Sequence, residues 1–232
     1  MDIPQILPEL LMKLPVTLTY IILSAVLGLL LATIVTIFRI KKIIVLSQLA
    51  GLYVSFTRSV PIVLQLFIVF YAMPLAFSLL GIDINNMDAS IAAVLGLSIF
   101  HSGYLSEVLR PAYLAVDKGQ HEAAESLGYT TFQRIFRIII PQAIPIALPG
   151  WGNALIYLIH NSALVMYIGA ADFMTEAHII MERSYNQYQL SMYILLALLY
   201  CLITFLAWLI VRFLEKKTEK YHLDTGIKMG VM

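Results

Sequence analysis

Cysteine occurs once in the chain, charged residues make up only 12%, and no segment of the form GxxxxGK[ST] is present. The lone Cys201 lies in an apolar stretch, which excludes a disulfide framework and a cysteine metal cluster. The histidines, His101, His121, His160, His178 and His222, are scattered without the short spacing that metal ligation needs. Without a phosphate-cradling loop the chain holds no nucleotide of its own, and no cofactor is expected. No Ser/His/Asp set with loops to hold it occurs, so nothing points to an enzyme. A net charge of +1, with no basic patch interleaved with aromatics, gives no reason to expect nucleic acid as a partner. The N-terminus, MDIPQILPEL, is acidic and proline-punctuated, unlike the basic start of a cleaved signal peptide, so the first apolar stretch is expected to be retained.

What is abundant is apolar. Hydrophobic residues make up 60% of the chain and the mean hydropathy is +0.86. Soluble domains carry about 25% charged residues, about twice the share here. An all-α integral membrane protein follows, with lipid as its solvent. Five apolar stretches meet the need for about 20 residues per span. They are roughly Pro15–Phe38, Pro61–Leu80, Ala89–Leu109, Leu148–Ala170 and Leu190–Phe213. Ile40–Thr57 is too polar to span and too apolar for a free loop, and reads as an interfacial helix. Asp172–Gln189 reads as a short helix outside the spans.

Cations set the orientation. Arg39, Lys41, Lys42 and Arg58 follow the first span, Arg110, Lys118, Arg134 and Arg137 the third, and Arg212, Lys216, Lys217, Lys220 and Lys228 the fifth. Gly81–Asp88 has no cation and Asp172–Gln189 only Arg183. This alternation places the N-terminus outside and the C-terminus in the cytoplasm of a multi-pass membrane protein. Residues 1–215 form the membrane domain, and 216–232 a polar, partly disordered cytoplasmic tail.

Polar groups inside spans are costly and therefore candidates for function. The third span carries His101, Ser102, Tyr104, Ser106 and Glu107, and the fourth Trp151, Asn153, His160, Asn161 and Ser162. His101 and His160 both fall near mid-depth. Lining a substrate pathway and bonding between helices are equally open for His101, His160 and Asn161. Glu107 lies toward the cytoplasm, where Arg110 or Arg58 offers an ion pair. Gln65 is expected to pack between helices.

The segment 117–141 is the polar interruption around which the rest is arranged. Glu122-Ala123-Ala124 begins a short helix that Gly128 ends. Phe132, Ile135, Phe136 and Ile139 then recur at helical spacing, and Pro141 closes the segment and opens the next helix. Glu122-Ala123-Ala124, three residues, Gly128, nine residues, then Ile138-Ile139-Ile140-Pro141 resembles the EAA loop of bacterial ABC importer permeases, with Ile140 where leucine is usual.

A second resemblance is to the polar amino-acid permeases among them. Phe56-Thr57-Arg58-Ser59-Val60-Pro61 followed by Gln65-Leu66-Phe67 is similar to their F-R-G-T-P and V-Q-L-F. Ser102-Gly103-Tyr104-Leu105-Ser106-Glu107 with Arg110 is similar to S-G-A-Y-x-x-E-x-x-R, and Lys118-Gly119-Gln120 to K-G-Q. The resemblance implies the five-span type I importer fold in a bacterial inner or plasma membrane. It also implies two permeases per transporter, this chain pairing with a second copy or a sibling. The other implied partners are a separate ATPase dimer that binds the ATP, an extracytoplasmic solute-binding protein, and a polar amino-acid substrate such as histidine, glutamine, arginine or cystine. The receptor would dock near Asp83–Asp88 and Asp172–Gln189. Glu122, Ala123, Ala124 and Gly128 would couple to the ATPase, and His101, Ser102, Glu107, Asn153, His160, Asn161 and Ser162 would line the pathway. One departure stands out: His160-Asn161-Ser162-Ala163-Leu164 occupies the place of K-[DE]-T-S-L, exchanging a fixed ion pair for an imidazole and an amide. The alternative is an ion-coupled secondary carrier or a channel, although five spans do not divide into the matching halves common in carriers.

Overall fold

The structure is a computed structural model that describes residues 3–41 and 43–224. The regular structure among these residues is all helical, with α1 (Ile3–Lys41), α2 (Ile44–Ser59), α3 (Ile62–Ser78), α4 (Ala89–Leu114), α5 (Lys118–Ser126), α6 (Thr131–Ile168), α7 (Phe173–Arg183) and α8 (Gln189–Asp224). Four of these, α1, α4, α6 and α8, are long and apolar enough to cross a membrane, and the pair α2 and α3, bent by 116°, makes a fifth candidate. The expected second span, Pro61–Leu80, coincides with α3, which meets α2 at this bend. The α8 helix carries the expected tail as far as Asp224, and the rest of that tail, 225–232, lies outside the described residues.

The centre of the bundle is α4, whose buried Ala92, Ala93, Gly96, Ser98, Ser102, Gly103 and Ser106 let neighbouring backbones approach closely. Small residues serve this purpose in lipid, where helix association relies on packing rather than on expulsion of water. The α1 helix runs parallel to α4. Ser24 Oγ donates to Val94 O at 3.2 Å, His101 packs under Gly28, and Arg39 pairs with Glu107, so both chains advance in the same direction. A parallel pair is what the alternation of cations requires of the first and third spans. Leu66, Val69, Leu97, Phe100, Leu158 and Val165 complete the core around α4. A second apolar cluster joins Ile6 and Leu10 of α1 to Phe173, Ala177 and Ile180 of α7 and Met192 and Leu196 of α8. On the outward faces of α1 and α8, Leu30, Ile34, Leu198, Leu202 and Ile210 stay exposed, as lipid-facing positions should.

The helix that carries the fourth span begins earlier than its apolar run. Pro141 does not end a segment: α6 runs without a break from Thr131 to Ile168. A proline inside a helix removes one N–H and drives its ring against the carbonyl four residues back. Here the backbone widens into a π turn over Ile135–Ile139, which takes up the misfit around Arg137 O. The α3 helix repeats the device, with a π turn over Ile68–Ala72 ahead of Pro74. Each π turn ends two residues before its proline.

Candidate coupling loop and membrane pathway

The α5 helix is closed at both ends by its own sequence. Asp117 caps the start, accepting from Gly119 N at 2.7 Å. At the other end Gly128 takes φ +77°, Gly128 N donates to Glu125 O, and Tyr129 N donates to Ala124 O, each at 3.0 Å. This is the Schellman arrangement, in which a left-handed glycine satisfies the last carbonyls. Ala124 is 1% exposed and seats the helix on the rest of the chain, whereas Glu122, Ala123 and Gly128 face outward. Tyr113 meets the His121 ring edge-on at 5.8 Å, and Arg134 pairs with Glu125. Burial and the neighbouring Arg134 charge hold the His121 imidazole below its usual pKa. Thr130 and Gln133 form a reciprocal capping box that starts α6. Next to this turn Leu127, Phe132 and Phe136 remain exposed, the two phenylalanine rings 4.3 Å apart. The loop is therefore a short rigid helix with an uncovered polar and apolar face.

Deeper in the bundle the candidates separate into two groups. His101, Ser102 and Ser162 are buried and occupied by packing. The His101 ring lies against Gly28, where an added Cβ would sit 2.8 Å from it, and its Nε2 has no partner among the described residues. Ser102 Oγ donates to Ile99 O at 2.8 Å and also meets the Tyr53 hydroxyl. Ser162 Oγ donates to Ile159 O at 2.8 Å. Asn161 is half-buried and its Nδ2 donates to Tyr157 O at 2.7 Å on its own helix.

The second group is open. Asn153, Tyr157 and His160 are exposed on α6 and, at spacings of four and three residues, share one face. His160 opens onto a groove of about 490 Å³ between α6 and α8, with Tyr200, Cys201 and Trp208 among its lining and Thr204 Oγ1 3.4 Å from its Nε2. Tyr157 stacks on Tyr104 of α4 with ring centroids 6.2 Å apart, and the Arg58 guanidinium lies 5.9 Å above Tyr104. Arg58 Nη1 is 3.2 Å from Glu107 Oε2, and the other Glu107 oxygen pairs with Arg39. Of the two partners expected for Glu107, the structure selects Arg58, not Arg110. Arg39 was legible only as a loop cation. Its position at the end of an apolar run parallel to α4 depends on the tertiary register. Tyr53 and Tyr157 carried no sequence signal beyond being aromatic, the first near a span and the second within one.

The elements nearest the proposed receptor face are also fixed locally. Asp88 caps α4, accepting from Ser90 N at 2.7 Å, and its hydrogen bonds with Ser90 hold its pKa below the usual value. Asp172 caps α7, accepting from Thr175 N and Thr175 Oγ1 at 2.8 Å each. Its burial raises the carboxyl pKa despite these bonds.

Such a bundle, with exposed apolar belts on its long helices, is that of a multi-pass membrane protein by class. Residues 28–220 match the family described as the binding-protein-dependent transport system inner membrane component, and the chain belongs to that family. The L-cystine transport system permease protein TcyL of Bacillus subtilis (strain 168) is 36% identical over 94% of this chain and 90% of its own length. The arginine transport system permease protein ArtQ of the same organism is 35% identical over 94% of this chain and 95% of its own. Among solved structures, one described as the crystal structure of an amino acid ABC transporter with histidines superposes with a TM-score of 0.77 at 30% identity, covering 94% of this chain and 99% of that one. The inward-facing MetNI methionine ABC transporter shares the fold, with a TM-score of 0.70 at 20% identity. The resemblance to ABC importer permeases is borne out. The type I fold follows with it.

Proposed function

We propose that the chain is the membrane-spanning subunit of an ATP-driven bacterial importer for polar amino acids, cystine among the candidates. The observation that carries this reading is similarity to amino-acid and cystine permeases over nearly the whole chain. In this reading ATP is bound by a separate ATPase dimer. The α5 helix is the lever: Glu122, Ala123 and Gly128 face the ATPase, while Ala124 anchors the lever to the bundle. A rigid, capped helix transmits a push that a flexible loop would absorb. Closure of the ATPase would rock the spans between inward- and outward-facing states, and an extracytoplasmic binding protein would deliver the solute near Asp83–Asp88 and α7.

Exposed polar side chains on a spanning helix are costly against lipid. The Asn153, Tyr157 and His160 face therefore lines the pathway or meets a second permease, identical or sibling. Glu107, Arg58 and Tyr104 continue this lining and offer a carboxylate, a cation and an aromatic face to a zwitterionic solute. His101, Ser102 and Ser162 act behind it, by packing. The test is ATP-dependent uptake in vesicles holding the chain with its ATPase and binding protein, across labelled amino acids including cystine. Uptake of one polar amino acid, lost in Gly128→Pro, supports the reading. Failure of any ATPase to associate would overturn it.

A further inference from the structure

The break between α2 and α3 is held together by the side chain of Gln65, the residue expected above to pack between helices. In an uninterrupted helix Thr57 O would accept from the backbone N–H of residue 61, but residue 61 is proline and has none. Val60, pushed out of the helical region by the proline that follows, is extended at φ −90° and ψ 128°. The carbonyls of Thr57, which is buried, and Val60, which is half-buried, are thus left without their helical donors. Gln65, one turn into α3 and 1% exposed, supplies both. Its Nε2 donates to Thr57 O at 2.8 Å and to Val60 O at 2.7 Å. A carboxamide nitrogen has two hydrogens, and both are used. Its Oε1 has no partner among the described residues, so the amide is oriented entirely by these two bonds.

What this clamp fixes lies next door. Thr57 is fully buried, with its side chain against Gly103 of α4, and Arg58 follows it, 3.2 Å from Glu107 and over Tyr104. We infer that Gln65 is a positioning residue: by replacing the N–H that Pro61 lacks, it sets the 116° elbow at the one geometry that seats Arg58 on Glu107. Gln65 shares no hydrogen bond or ion pair with either residue of that pair and acts through the backbone of Thr57. The elbow itself follows from geometry. Its consequence for transport rests on the function proposed above.

The experiment uses the whole complex in lipid nanodiscs and vesicles, with Gln65→Met and Gln65→Glu. Methionine keeps the length and loses the donors. With two buried bonds lost, backbone amides of residues 58–66 should exchange about tenfold faster or more, with α8 unchanged. The KM for uptake should rise several-fold while the maximal rate falls less. Gln65→Glu, while its carboxyl is ionised, sets acceptors against the carbonyls of Thr57 and Val60 and should open the elbow at least as much as Gln65→Met. Acidification protonates that carboxyl, returns one donor, and should recover protection, taken relative to the intrinsic exchange rate at each pH, and part of the KM, a gain in protection absent from the wild type. Wild-type exchange in Gln65→Met would overturn the inference. So would faster exchange spread equally over all helices, or no acid recovery in a Gln65→Glu chain that has lost protection at neutral pH. If Gln65→Met fails to assemble, the acid response of Gln65→Glu decides. If the wild-type complex moves none of the amino acids, the transport reading fails and the exchange measurement alone decides the elbow.

Discussion

The side chain of Thr57 occupies the space that a side chain at Gly103 would need: a Cβ built there lies 2.7 Å from Thr57 Cβ and closer still to its hydroxyl. Both residues are buried, so neither has solvent to move into. Gly103→Ala should therefore push α2 away from α4 and cost about 1–3 kcal/mol, the usual range for overpacking. Thr57→Ala in the same chain removes the hydroxyl and the methyl and should return part of the loss. Thermal unfolding of the solubilised complex measures both, and an unchanged midpoint in Gly103→Ala would show that the contact is not tight.

Gly128 makes a different demand. Nothing lies within 4 Å of a Cβ built there, and the constraint is its φ of +77° alone. A left-handed backbone costs an ordinary residue about 1–2 kcal/mol, and asparagine less. Gly128→Ala should fray the end of α5 while the complex still assembles, and Gly128→Asn should fall between it and wild type. The readout is uptake per assembled complex together with ATPase stimulation by the binding protein. A loss of assembly that parallels the loss of uptake would count against a coupling role.

These two glycines show what could and could not be read in advance. Gly128 was legible because its partners are local: the helix it ends and the residues that follow are contiguous in sequence. Gly103 was visible only as part of a motif, since its reason for being glycine sits 46 positions earlier, at Thr57. The same division holds for the spans. Apolar length located α1, α4, α6 and α8, whereas the break before Pro61 and the unbroken passage through Pro141 depend on how each proline's lost bond is made good. At Pro61 the side chain of Gln65, four residues on, does this, and at Pro141 a π turn does. Arg39 reaches Glu107 only because α1 lies parallel to α4, a register that charge counting constrains but does not specify.

Glu107 balances two arginines, and the two are not equivalent. The Arg39 side chain is 20% exposed and that of Arg58 48%. Exposed pairs contribute little after screening, about 0–1 kcal/mol. Arg39→Gln should therefore destabilise more than Arg58→Gln. Glu107→Gln should exceed either, because it leaves two like charges facing each other. A double-mutant cycle on Arg39 and Glu107 should give a larger coupling than one on Arg58 and Glu107. Arg58→Gln, by contrast, should raise the KM for uptake most, since Arg58 is the partner that also reaches the Tyr104 ring. Equal couplings would show that exposure does not separate the two pairs, and a KM unaffected by Arg58→Gln would remove Arg58 from the pathway.

Asp172 couples the α7 turn to pH. Burial raises its carboxyl pKa above the ordinary 3.8, with Tyr20, Tyr200 and His178 as the titratable neighbours that act on it or respond to it. The folded turn therefore binds the proton more tightly than the opened one. Stability is greatest below the ordinary pKa and is lost as pH rises through the folded value. Asp172→Asn keeps the oxygen that accepts from Thr175 N and removes the charge, so α7 should be better protected from hydrogen exchange than wild type at neutral pH. That advantage should shrink as the pH is lowered toward 4. Asp172→Ala loses the cap as well and should cost about 1 kcal/mol relative to Asp172→Asn at every pH. Protection of the α7 amides between pH 4 and 8 distinguishes the cases. If Asp172→Asn is less protected than wild type at neutral pH, the ionised carboxylate is a stabilising group in the folded turn, and the sign argued here is reversed.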